Sequence, residues 1–294
     1  MTGVKRTEVS SPNAETIEAW DGPLYERFVR FRSIVTAGLG NHGEAALELY
    51  PPQPGQRVID VGCGFGDTTQ RIAGLLGPKG HAVGVDVAPR FIEDAVRETA
   101  ELGISNASFE VADVQTDDLG GPYDMAFSRM GVMFFNAPVP ALRNVRAALA
   151  PGAMLVAVVW RRRIDNDWLY RAQQIVEGFI TKPEEYEEPT CGPGPFSMAD
   201  ADTTSEIFKF SGFENLALHR CDIPILIGND IEEAIEMVTA IGPAGEILRL
   251  AGDRAAHLHD QIHAALRDGL AEYETPDGIY APASTWIVAA RNPH

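Results

Sequence analysis

Apolar and polar residues alternate in two distinct rhythms along this chain, and the change of rhythm marks its layout. From Asn13 to about Tyr50 the residues Ile17, Trp20, Leu24, Phe28, Phe31, Ile34 and Val35 recur at three- and four-residue intervals, the spacing of amphipathic helices. Gly22-Pro23 and the glycines between Gly38 and Gly43 predict breaks that divide this stretch into two or three short helices. Short β-branched runs then alternate with helical periodicity. The predicted elements span 57–62, 67–77, 81–86, 89–103, 107–112, 122–128, 138–149 and 153–160. Strands separated by helices imply a parallel sheet with right-handed crossovers, an α/β doubly wound architecture. Past Trp160 the rhythm loosens. A helix is predicted over 163–181, an acidic Pro- and Gly-rich loop from Lys182 to Pro195, a helix from Asp202 to Phe210 and a strand from Asn215 to Ile223. An insertion of helices from Pro224 to Asp277 follows, and the strand 284–290 closes the chain. Residues 1–12 are polar and are expected to be disordered.

The most informative stretch is Val58-Ile-Asp-Val-Gly-Cys-Gly-Phe-Gly66, running into Asp67. A buried strand that turns through glycines into a helix brings bare backbone close to a ligand. The Lys-Ser/Thr pair of a phosphate loop is absent, and Asp67 occupies the position of the third glycine of a dinucleotide fingerprint. Asp60 and Asp67 flank the turn, and carboxylates there suit a cationic ligand better than a pyrophosphate. Two further strands, His81–Asp86 and Ser108–Asp113, also end in acids. Asp86 lies about 20 residues beyond the glycines, the spacing of a carboxylate that accepts from ribose hydroxyls.

Taken together, these segments resemble class I S-adenosylmethionine-dependent methyltransferases, particularly the bacterial small-molecule branch related to ubiquinone and menaquinone C-methyltransferases. The segments that carry the resemblance are Asp60–Gly66, Gly84–Val87, Ala112-Asp113-Val114, Tyr123–Arg129 and Leu149–Trp160. The likeness is tight over roughly 55–160 and looser at 13–20 and 281–291. It implies a Rossmann-like, mostly parallel seven-stranded sheet with an antiparallel final strand, an N-terminal helical lid and helical insertions. One methyltransferase domain would then comprise the lid (13–50), a cofactor-binding core (51–160), a cap segment (161–199), a return to the core (200–223), the helical insertion (224–280) and the last strand (281–292).

The resemblance also implies roles. Asp60, Gly62, Cys63, Gly64, Asp86, Val87, Asp113, Val114 and Ser128 would bind S-adenosylmethionine. In that reading Asp60 balances the ammonium charge, Asp86 holds the ribose hydroxyls, Asp113 accepts from the adenine amine and Val114 offers its N–H to the ring. Trp20, Tyr25 and Phe28 of the lid, with Met130, Met133, Phe134 and Phe135 after the fourth strand, would line an acceptor pocket for a flat or apolar small molecule. A general base is required only if the acceptor must lose a proton, and His42 in the lid is the candidate.

Charge and cysteines narrow the classes. A net charge of −18 argues against nucleic acid as substrate, because the one dense basic cluster is Arg161-Arg-Arg163 at a strand exit. No apolar run reaches the length of a membrane span, and three cysteines without metal-type spacing read as reduced thiols of a cytoplasmic protein. His259 and His263 share a helix face but lack a third ligand, so no metal is expected. The sequence allows a homodimer. Two other functions stay open: a non-catalytic S-adenosylmethionine-binding protein, and a nicotinamide-dependent reductase, against which the acids at 60 and 67 and the missing Tyr-x-x-x-Lys pair argue.

Overall fold

A computed structural model describes residues 13–181 and 193–293. The stretch 1–12 and most of the acidic loop beginning at Lys182 lie outside the described residues. The chain opens with α1 (Ala14–Ala19), a π turn at Trp20–Leu24, α2 (Tyr25–Arg30) and α3 (Arg32–Leu49). The turn at Gly22-Pro23 is the expected break. The second expected break does not occur, because α3 runs unbroken through Gly38 and Gly43. Those glycines serve packing. A Cβ on Gly38 would stand 2.8 Å from the Leu226 carbonyl oxygen, and one on Gly43 would stand 3.1 Å from the Arg129 side chain.

The core follows as β1 (Arg57–Val61), α4 (Asp67–Leu76), β2 (His81–Asp86), α5 (Pro89–Glu101), β3 (Ala107–Val111), β4 (Tyr123–Arg129), α6 (Pro138–Ala148) and β5 (Leu149–Trp160). Val58, Ile59 and Val61 have no exposed surface, as a strand covered by helices on both faces requires. Asp67 in the first turn of α4 and Pro89 at the start of α5 are favourable helix openings. Beyond β5 come α7 (Asp167–Phe179), α8 (Ala201–Phe210) and β6 (Glu214–Asp222). The Asp200 carboxylate caps α8 by accepting from the Thr203 N–H at 2.8 Å.

The region after β6 departs from the purely helical insertion expected for 224–280. It contains β7 (Ile225–Gly228), α9 (Ile231–Ala240), α10 (Pro243–Ala251), α11 (Asp253–Leu270), β8 (Glu274–Thr275) and β9 (Gly278–Ala281). The three strands form a small antiparallel sheet in the order β7-β9-β8. The last strand, β10 (Ser284–Arg291), enters the main sheet, whose order is β3-β2-β1-β4-β5-β10-β6. β10 pairs antiparallel with both β5 and β6, whereas the pairs from β3 through β5 are all parallel. The strand order reverses beside β1, so the crevice at the carboxyl ends of β1 and β4 is where such a sheet binds its ligand. No helix among the described residues is long and apolar enough to cross a membrane.

Candidate active site

The glycine turn after β1 is tied down before any ligand arrives. The N–H groups of Gly62 and Cys63 both donate to the Val85 carbonyl of β2, at 2.8 and 3.0 Å. Gly62, Gly64 and Gly66 have φ of 71°, 53° and 81°, the left-handed region that disfavours any side chain. Their surroundings differ. A Cβ on Gly62 would meet Gly131 Cα at 2.9 Å, and one on Gly66 would strike Phe109 and Ala95, so these two glycines admit neighbouring protein. At Gly64 a Cβ meets nothing within 4 Å, which leaves its backbone bare toward the cavity. Both Gly62 and Gly64 line the cavity, but only at Gly64 would a side chain project into open space.

Asp86 ends β2 beside this turn. One of its carboxylate oxygens accepts from the Gly64 N–H at 2.9 Å and the other from the Ala88 N–H at 3.0 Å. The carboxylate is therefore fixed in orientation, and each oxygen keeps a lone pair for a ligand hydroxyl. Burial pushes its pKa up against those two hydrogen bonds. Asp60 is 1% exposed and accepts from the Thr69 hydroxyl at 2.6 Å through Oδ2, while Oδ1 has no partner among the described residues. Arg129 is engaged by Asp67, at 2.7 Å, rather than by Asp60. Burial accordingly raises the Asp60 pKa to about 7.

This has a measurable consequence. The folded chain holds a proton on Asp60 between its ordinary pKa and about 7, whereas the unfolded chain has released it. Stability of the ligand-free protein should thus fall as pH rises through that window, by about 1.4 kcal/mol per pH unit from this group. The cost is fully present above the folded pKa. Asp60→Asn should remove this dependence, so melting temperatures of the variant and wild type should diverge from pH 5 to pH 8. Parallel melting curves over that range would contradict the assignment.

At the exit of β3, Asp113 accepts from the Asn13 side-chain amide at 2.6 Å and from the Gln115 N–H at 3.0 Å. Asn13 in turn accepts from Asn136 at 2.8 Å, so the start of the lid is laced to the exits of β3 and β4. Cys63, Val87 and Val114 lie in the same cavity wall. The Cys63 thiol is buried, and burial pushes its pKa well up, so it is no nucleophile.

Three expected site residues are not brought to the cavity. Ser128 is fully buried and its hydroxyl donates to the Val61 carbonyl at 2.7 Å, clasping β4 to β1. His42 is also fully buried. Its Nδ1 lies 2.9 Å from the Thr285 hydroxyl and its Nε2 2.9 Å from the Ile223 carbonyl, so both nitrogens are occupied and burial lowers its pKa. It joins α3 to β10 and to the residue that follows β6, away from the cavity. Tyr25 turns outward from the cavity and donates to Asp94 at 2.6 Å, with its ring edge-on to Phe91.

The remaining wall is apolar. The cavity, of about 790 Å³, extends from the glycine turn under the lid, where Trp20 stands 5.5 Å from Phe28 and 4.9 Å from Phe134 between ring centroids. Met130, Met133 and Phe135 line it as expected. Met130 does so with φ of 61°, a strained backbone for a non-glycine residue. The sequence reading missed the opposite wall. Trp168 and Leu169 of α7, Ile225 and Leu226 of β7, and Met237 and Ile241 from α9 and the turn after it all line the cavity. Their helical or strand periodicity marks an apolar face, and the core and a cavity demand the same face.

Four aspartates (60, 67, 86 and 113) against one arginine make the strand exits acidic, and Gly64 leaves an open backbone cradle there. These residues fit a ligand with positive charge and a ribose. Comparison with known proteins agrees. Residues 52–192 match the family model of a methyltransferase domain. The matched segment carries β1 to β5 of the Rossmann-like sheet and makes up just under half of the chain. The chain is 32% identical over 114 residues to aklanonic acid methyltransferase DauC of Streptomyces sp. (strain C5), covering 38% of this chain and 52% of that protein. It is 29% identical over 115 residues to the ubiquinone/menaquinone biosynthesis C-methyltransferase UbiE of Pseudomonas savastanoi pv. phaseolicola, covering 38% of this chain and 45% of that protein. The chain thus spans about half the length of these curated relatives. Among solved structures, the YcgJ protein of Bacillus subtilis superposes with a TM-score of 0.54 at 15% identity, covering 87% of this chain and 98% of that one, a likeness of fold.

Proposed function

We propose that this protein transfers a methyl group from S-adenosylmethionine to a small, flat or apolar acceptor. The observation that carries the reading is the continuity of one cavity from the acidic glycine turn to an aromatic chamber under the lid. The cofactor supplies an activated methyl carbon. The chain's own residues bind, orient and exclude water. Asp86, held by the Gly64 and Ala88 N–H groups, orients the ribose, and the carboxylate of Asp113 faces the adenine amine. The methionine part lies along the backbone at Gly64, in the negative field of Asp60 and Asp67. Trp20, Phe28, Met130 and Phe134 position the acceptor by apolar contact. Incubating the purified protein with methyl-labelled S-adenosylmethionine and pooled aromatic acids, phenols and quinols tests this reading. Label in a small product supports it, and a protein that binds the cofactor without transferring label to any pool would instead be a binding protein.

The lid has a role in this reading. α1, the π turn and α2 rest on the core through Asn13–Asp113, Arg90–Glu26 and the packing of Trp20 on Phe134. No residue of the π turn or of α2 is fully buried, and elements without buried anchors open locally at low cost. Adding S-adenosylhomocysteine should raise hydrogen-exchange protection of residues 14–30. Unchanged protection with ligand bound would reduce these helices to packing.

A further inference from the structure

The cavity wall has two regions of opposite charge. The strand exits are acidic, as described above. On the lid and the insertion the balance reverses, with Arg27 of α2 and Arg249 of α10 against the one carboxylate of Glu246. Arg249 is committed to Glu246, at 2.6 and 2.8 Å. The Arg27 guanidinium makes no hydrogen bond or ion pair with the described residues, although its charge reaches Glu246. In a chain of net charge −18, an uncommitted arginine at the mouth of an apolar cavity offers a selective contact for an anion.

Beyond its carboxylates, the same wall offers no other proton acceptor. Among the described residues that line it there is no histidine, lysine or tyrosine. Glu246 is held below the usual carboxylate range by Arg249, which weakens it as a proton acceptor. Asp60 has one oxygen on Thr69 and the other sealed within the protein. The remaining carboxylates of the wall, Asp67, Asp86 and Asp113, stand at the strand exits and are each already hydrogen-bonded, so a neutral phenol or alcohol under the lid finds no uncommitted base for its proton. An oxygen that arrives ionised needs no acceptor for one.

We propose that the methyl acceptor is a flat, apolar molecule whose nucleophilic oxygen is already an anion at neutral pH, as in a carboxylate or a strongly acidic enol or phenol, and that Arg27 selects for that charge. This rests on the methyltransferase reading above and names the substrate class it leaves open. The step balances without a proton transfer. An oxygen lone pair forms the new O–C bond, and the C–S bond breaks with its electron pair passing to sulfur. One positive and one negative charge vanish, leaving a neutral thioether and a neutral ester or ether. Loss of both charges is favoured beside apolar walls such as Trp20, Phe28, Phe134 and Trp168. Arg27 acts in binding and is a specificity residue. It is not assigned to bond making.

The test uses matched probes, 2-naphthoate with 2-naphthamide and anthracene-2-carboxylate with its amide. Calorimetry measures their affinities for the intact protein with and without S-adenosylhomocysteine. The carboxylate of each pair should bind roughly tenfold or more tightly, the scale of one charge-assisted contact. Arg27→Gln should bring the pair to near equality and Arg27→Lys should restore part of the difference. Arg27 is exposed on a short helix, so neither change should disturb the fold. Equal binding of acid and amide, no binding of any probe, or a preference that survives in Arg27→Gln would each overturn the proposal. Failure of S-adenosylhomocysteine to bind would count against the methyltransferase reading, while the anion preference measured without it stands or falls separately.

Discussion

Replacing Asp86 with Ala should weaken binding of S-adenosylhomocysteine by roughly 100-fold or more. A hydrogen bond to a charged group contributes about 1.5–3 kcal/mol, and a carboxylate that spans two hydroxyls loses two of them. The structure adds a second loss. The Gly64 and Ala88 N–H groups, which Asp86 now holds at 2.9 and 3.0 Å, would lose their acceptor, and the glycine turn would lose its fixed orientation. Asp86→Asn separates the contributions, since its amide oxygen can still accept from one N–H while the charge is gone. The expected order of affinity is wild type, then Asn, then Ala. Wild-type affinity in the Ala variant would place Asp86 outside the site.

The second large effect concerns the glycines, and here neighbouring positions should behave differently. Gly62→Val imposes a β-branched side chain at φ of 71°, with its Cβ 2.9 Å from the Gly131 backbone. The left-handed conformation alone costs about 1–2 kcal/mol. A collision of Cβ with main chain adds to this, because backbone cannot swing aside as a flexible side chain can. We expect a lowered melting temperature together with lost cofactor binding. Gly64→Ala bears only the conformational cost, since its Cβ meets no protein atom. That variant should melt within several degrees of wild type and still fail to bind S-adenosylhomocysteine, because the new methyl group occupies ligand space. Chemical denaturation and calorimetry on the two variants check this. A Gly64→Ala protein with unchanged affinity would mean that the ligand does not pass along this backbone.

The sheet was legible because its first two strands are short runs rich in valine and isoleucine, buried on both faces and followed by glycines or closed by an acid. Val58–Val61 followed by Gly62, and Ala82–Val85 followed by Asp86, show the pattern. Binding determinants carried by backbone geometry were also legible, since left-handed turns leave glycine in the sequence. Other features left no such trace. Gly38 and Gly43 read as helix breakers, yet they let α3 approach β7 and Arg129, and sequence alone does not separate the two uses of glycine. The strands β7, β8 and β9 are two to four residues long, too short for alternation to declare itself. Direction of a side chain was the least legible property. His42 and Tyr25 lie on elements beside the cavity, but each turns to a partner distant in sequence, Thr285 with Ile223 and Asp94 respectively. The acceptor wall from α7, β7 and α9 is a tertiary juxtaposition of segments far apart in the chain.

The central claim is that the acidic glycine turn and Asp86 form a site for S-adenosylmethionine and not for a nicotinamide nucleotide. Isothermal titration of the purified protein with S-adenosylhomocysteine, and in parallel with NADH and NADPH, tests it most directly. The structure leads us to expect micromolar-range binding of S-adenosylhomocysteine and no measurable binding of either nicotinamide nucleotide, whose pyrophosphate would enter the field of Asp60, Asp67 and Asp86. Tighter binding of NADH or NADPH than of S-adenosylhomocysteine would contradict it.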